Sequence, residues 1–95
     1  MRSVQDALYN WLTIKVVAEG RPDDKAAQET YELFDGILRQ DHGVSHIEVE
    51  RREDDEMYYV SYEKDGVSKS TRFPLELIDC YLEQMQREPE KFKNY

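Results

Sequence analysis

The 95-residue sequence predicts an α+β domain of two layers: a three-stranded antiparallel meander with helices on one face, in the order α-α-β-β-β-α. Three observations carry this expectation. Apolar residues recur at helical spacing through about residue 41. From residue 44 the apolar period drops to two. Between two of the alternating stretches sits Asp65-Gly66, a strong short-range signal for a hairpin. Ninety-five residues make a single domain spanning positions 1–95.

The first helix is expected over about 3–19. Ser3 and Asp6 resemble a capping box, with Asp a weaker partner than Glu or Gln. Val4, Leu8, Leu12 and Val16 form one stripe, and Ala7, Trp11, Ile14 and Ala18 widen it, so neighbours on more than one side are expected. The stretch Leu12 to Val17 also has strand propensity, but no turn residue separates it from the helix start. Gly20 to Asp24 stops this helix and starts the next, over about 23–41. Its stripe is Ala27, Tyr31, Phe34 and Leu38, with Ile37 beside it, and Gly43 suits a left-handed end. The two helices are expected to pair as an antiparallel hairpin.

Strands follow over about 44–51, 56–63 and 67–73. The Asp-Gly turn sets Tyr62 against Lys69, Val60 against Thr71 and Tyr58 against Phe73. A loop at Arg52 to Asp55 sets Val49 against Tyr58 and Ile47 against Val60. Both registers place Ile47, Val49, Tyr58, Val60 and Phe73 on one face, which must be the helix-covered one. Pro74 ends the third strand and opens a helix over about 74–87, with Leu75, Ile78, Leu82 and Met85 in one stripe and Tyr81 beside it. Glu88-Pro89 stops that helix. In the tail Glu90 to Tyr95, Phe92 and Tyr95 either dock back or fray.

Thirteen basic residues against 21 acidic ones give a net charge of −8. No basic run exceeds Arg51-Arg52, so nothing here could displace counterions from phosphates, and direct nucleic-acid binding is not expected. The charge serves either solubility or a partner with a basic surface. Cys80 is the only cysteine, so there is no intrachain disulfide framework. The first residues lack the apolar run of a signal peptide, and the longest apolar stretch is too interrupted to span a bilayer, so a cytoplasmic protein is expected.

His42, His46, Glu48 and Glu50 are the one candidate metal cluster. Same-face residues on a strand lie about 7 Å apart, too far to converge on one ion, and Gly43 breaks the helix between the histidines. No metal or cofactor is expected. Cys80 has no sequence partner for nucleophilic catalysis and is expected to be a small, partly buried core thiol. Carboxylates are too abundant for adjacency to mark catalysis, and the four glycines are scattered singly rather than in a phosphate-binding loop.

The face of the sheet away from the helices is the candidate site. In the inferred register Glu48, Tyr59 and Arg72 form one row, His46, Ser61 and Ser70 the next, and Met57 lies beside Glu50. Asp54 and Asp55 extend this face into the hairpin loop. Such a row satisfies itself on a plain surface. It also offers Tyr, Met and Arg, the residue types enriched at interfaces, to a protein partner or a second copy of the chain. A second candidate is the wide face of the first helix around Tyr9 and Trp11, although a core position is the expected fate of Trp11. The function expected is that of a regulatory or adaptor protein acting by protein–protein contact, without catalysis. The alternative is an inhibitor, antitoxin or immunity-type protein blocking a basic target, nucleic-acid-binding proteins among the candidates. A small metal- or ligand-binding enzyme has the least support.

Overall fold

The computed structural model describes residues 3–87, apart from the side chains of 85–87. The expected stop at Glu88-Pro89, the tail aromatics Phe92 and Tyr95, and the packing of Met85 lie outside that description. The elements are α1 (Val4–Gly20), α2 (Lys25–Gly36), which runs on into a wider π-helical turn (Ile37–Asp41), β1 (Val44–Arg52), β2 (Met57–Lys64), β3 (Val67–Pro74) and α3 (Leu75–Arg87). The strands form one antiparallel sheet in the order β1-β2-β3, with the helices packed on it, an α+β fold of order α-α-β-β-β-α. No helix among the described residues is long and apolar enough to cross a membrane.

Local chemistry sets the helix ends. The Ser3 hydroxyl accepts the Asp6 N–H at 3.1 Å, and the Asp24 carboxylate accepts the Ala27 N–H at 3.1 Å. Each satisfies a donor that the first helical turn would otherwise leave unpaired. The Ala27 N–H, followed by the Arg21 guanidinium, holds the Asp24 carboxyl below its ordinary value despite some desolvation. The segment Leu12 to Val17 stays helical because its apolar positions are buried on several sides, which outweighs its strand propensity.

Burial follows the two periodicities. Ala7, Leu8, Trp11 and Leu12 of α1 meet Tyr58, Val60, Tyr62 and Phe73 of the sheet and Ile78 of α3 in one cluster, with Ile47 and Val49 half-buried against it. A second cluster joins Ile14, Val17 and Ala18 to Ala27 of α2, with Tyr81 and Leu82 of α3 packed on it. Trp11 is core, as expected: its indole N–H donates to Asp35 at 3.1 Å and its ring lies 6.0 Å from that of Tyr31. The face of α1 around Trp11 is therefore not an exposed surface. Gly20 lets α3 come close, since a Cβ there would sit 2.6 Å from Leu82 Cδ2.

The β2–β3 register is the expected one, with Tyr62 opposite Lys69, Val60 opposite Thr71 and Tyr58 opposite Phe73. The β1–β2 register differs by two residues: Val49 faces Val60, and Arg51 faces Tyr58. The turn begins one residue later, at Glu53, which moves every pair from Glu48 to Arg52 by two. Separately, the ladder is irregular between Ser45 and Glu48. There His46 adopts a left-handed φ of 52°, and β1 carries one more residue than β2 across the gap. The bulge flips the parity of the strand, so Val44 and Ile47, an odd number of residues apart, both turn toward the helices. A shift of two leaves Ile47, Val49, Tyr58, Val60 and Phe73 on the helix-facing side as expected, and the bulge adds Val44 to them.

Candidate functional site

Tyr59 and Met57 lie on β2 with alternate residues pointing away from the helices, and among the described residues no element packs over that side of the sheet. The shifted register reassigns the rows. Glu50, Tyr59 and Arg72 are adjacent across the three strands, where Glu48 was expected beside Tyr59. Glu48 instead lies beside Ser61 and Ser70, taking the place expected for His46, and Met57 lies beside Arg52 rather than Glu50.

The hairpin turn completes the site. Arg52 lies 3.5 Å from Asp54 and 3.8 Å from Asp55, and its guanidinium sits over the Tyr59 ring at 5.6 Å from the centroid. The Tyr59 hydroxyl donates to Asp55 at 2.9 Å. Asp54, Asp55 and Tyr59 are thus brought together, with Arg52 as the centre that sequence reasoning missed. The missed signal was alternation: adjacent strand residues point to opposite faces, so Arg51 and Arg52 must serve different sides of the sheet. Arg52 is held more firmly protonated by Asp54, then Asp55 and Glu50. These ion pairs are exposed and orient the tip more than they stabilise it. Arg72, beside Tyr59, has no ion-pair partner among the described residues.

Charge on this side is uneven. Glu48, Glu50 and Glu63 on the strands and Asp54 and Asp55 in the turn set five carboxylates against the guanidiniums of Arg52 and Arg72, with Lys69 at the edge, while Glu53 turns to Arg51 on the other side. A shallow basin of about 460 Å³ between His46, Glu48, Ser61, Glu63 and Ser70 opens on the same face.

On the opposite side, Arg51 anchors a different arrangement. Its guanidinium donates to Asp79 of α3 at 2.6 Å and to the Tyr58 hydroxyl at 2.8 Å, while that hydroxyl donates to Asp79 at 2.7 Å. Burial, then the hydrogen bond to Asp79, pushes the Tyr58 phenol up to about 12, against the opposing pull of Arg51. Asp79 and Tyr58 in turn hold Arg51 firmly protonated. This clip fastens α3 to the tip of the first hairpin.

The remaining candidates separate. His46 is exposed, with Nδ1 2.6 Å from Glu63 and 3.1 Å from the Ser45 hydroxyl. Among the described residues no three His, Cys, Asp or Glu side chains gather so as to hold a metal ion. Cys80 corrects its expectation: it is exposed, its thiol donating only weakly to the Leu77 carbonyl at 3.4 Å. The buried stripe of α3 runs through Ile78, with Leu75 and Leu82 partly buried, and Cys80 lies across the helix from it. Its apolar neighbour Leu77, the basis for expecting burial, is itself 45% exposed. No family model matches this chain, and no curated protein and no solved structure matches it.

Proposed function

We propose that this chain is a regulatory or adaptor protein that acts by protein–protein contact, without catalysis, through the open face of its sheet and the turn at Glu53–Glu56. The observation that carries this reading is the uncovered face itself. It sets the half-buried Tyr59 and Met57 among carboxylates that outnumber the cations beside them. An aromatic platform inside a polar rim is the anatomy of a binding surface, and the sign of the rim selects a partner with a basic surface. A cytoplasmic setting accords with the single cysteine.

The same concentration of charge favours a second reading, an inhibitor, antitoxin or immunity-type protein that covers the basic site of a nucleic-acid-binding target. The two readings share a surface and differ in what happens to the partner: an adaptor leaves the partner's activity in place, and an inhibitor abolishes it.

The test begins with affinity capture from the native cell at two salt concentrations, followed by rate measurements on the captured partner. Asp55 positions Tyr59, so charge reversal belongs at Glu48 and Asp54. Glu48→Lys with Asp54→Lys should slow association and flatten its salt dependence, because rim charges steer encounter. Tyr59→Ala should leave association nearly unchanged and shorten the lifetime of the complex about tenfold or more, as loss of an anchor does. A partner that binds equally well at low and high salt and ignores both changes sinks the proposal. So does binding of bare DNA or RNA at moderate salt.

A further inference from the structure

The two edges of the sheet differ. β1 is bulged where His46 holds its φ of 52°, and the π-helical turn packs against its start. A bulge of this kind spoils an edge for further pairing. β3 keeps one unbroken register along its length, and among the described residues no further strand pairs with it. Asp65 and Gly66 both have positive φ, 56° and 78°, the geometry of a two-residue turn whose flanking pair, Lys64 and Val67, is hydrogen-bonded. Hydrogen-bonded pairs therefore recur at Lys69, Thr71 and Phe73. Ser68, Ser70 and Arg72, which alternate with them, turn their N–H and C=O groups away from β2. All three are exposed, and Val67 at the head of the strand is 54% exposed.

We infer that the free edge of β3 takes a fourth strand, an extended segment of a partner protein that carries two carboxylates three residues apart. The main chain selects a strand, because donors and acceptors at alternate residues match those of another extended backbone. Charge selects the acid. β3 holds no acidic residue, in a chain that has 21 of them. Its two cations, Lys69 and Arg72, have no ion-pair partner among the described residues. Arg72 stands on the open face beside Tyr59, and Lys69 lies opposite Tyr62 of the helix-facing row. Side chains alternate along a strand, so carboxylates three residues apart on the added one would oppose both cations, one from each face. The same cations disfavour a second copy, since two β3 edges laid together would line up four cations along one seam. Over the rest of a chain of net charge −8 an acidic segment is repelled, which confines it to this edge.

The decisive experiment titrates the isotope-labelled full chain with a short peptide of threonine and valine that carries two glutamates three residues apart, and reads amide hydrogen exchange residue by residue. The Ser68, Ser70 and Arg72 amides should exchange freely in the chain alone and at least ~tenfold more slowly with saturating peptide. A matched peptide with lysines in place of the glutamates should bind this edge at least ~fivefold more weakly, since each opposed pair becomes a like-charge pair. Ser70→Pro removes an outward N–H and leaves the ladder to β2 in place, so it should abolish the protection at Ser68 and Arg72. Circular dichroism verifies the fold of each variant. Lys69→Gln with Arg72→Gln, neutral changes at exposed sites, should retain the slowed exchange and erase the preference for glutamate. Absence of protection at millimolar peptide overturns the inference. Protection that persists in Ser70→Pro, or that falls elsewhere than β3, overturns it equally, as does equal protection of the edge by the lysine peptide. None of these outcomes depends on the partner-binding reading of the open face.

Discussion

Removing the Asp79 carboxylate should uncouple α3 from the hairpin, and the cost can be worked from the geometry. Asp79 accepts the Tyr58 hydroxyl at 2.7 Å and Arg51 at 2.6 Å, and its own side chain is 15% exposed. A hydrogen bond to a charged acceptor contributes about 1.5–3 kcal/mol when both groups are buried. The Arg51 contact deserves less, about 0.2–1 kcal/mol, because that side chain is 44% exposed and keeps Glu53 within 3.6 Å. Better helix propensity returns about 0.5 kcal/mol to an alanine there. Asp79→Ala should therefore cost about 2 kcal/mol, which lowers a urea midpoint by roughly 1–2 M. Tyr58→Phe keeps the ring's packing and should cost about 1 kcal/mol. The double variant should cost less than the sum, because the two changes remove the same bond. The pH dependence supplies a separate reading. The folded phenol titrates at about 12 rather than 10.0, so between those values the folded state keeps a proton that the unfolded state releases. The stability from this group is whole below pH 10 and declines as pH rises through 12. That decline should appear in the difference between parent and Tyr58→Phe. Additive costs in the double variant, or an Asp79→Ala protein within about 0.5 kcal/mol of the parent, would refute the clip.

Further outcomes follow from single positions. Cys80 is exposed, so in the native protein it should react with a thiol reagent at a rate close to that in denaturant; strong native protection would contradict its placement on α3. His46 holds a φ of 52°, a conformation that costs a non-glycine residue about 1 kcal/mol, so His46→Gly should stabilise the chain by up to about that amount in urea titration, and destabilisation would mean that its contact with Glu63 matters more than the backbone. Asp24→Ala should cost about 1 kcal/mol through the lost α2 cap. Because the folded carboxyl titrates below 3.8, this contribution is present above that value and is lost as pH falls through the folded one, so Asp24→Asn should flatten the acid limb of stability.

The fold was legible because its signals are local and agree with one another. Ser3 and Asp24 announce helix starts, Asp65-Gly66 fixes one register within two residues, and Pro74 marks the change from strand to helix. The β1–β2 register was legible only to parity. Alternation places Val49 and Tyr58 on one face whatever the offset, but a shift of two residues leaves alternation intact. The clue lay in Val44 and Ile47, both apolar and three apart, which no unbulged strand can turn to the same side. The site suffered the same limit. Its members and face could be read, but its neighbours depended on the offset, so Glu50 rather than Glu48 meets Tyr59. The Arg51–Tyr58–Asp79 clip joins positions 28 residues apart, beyond any periodicity, and Cys80 was misplaced because the apolar residues beside it include one that faces solvent.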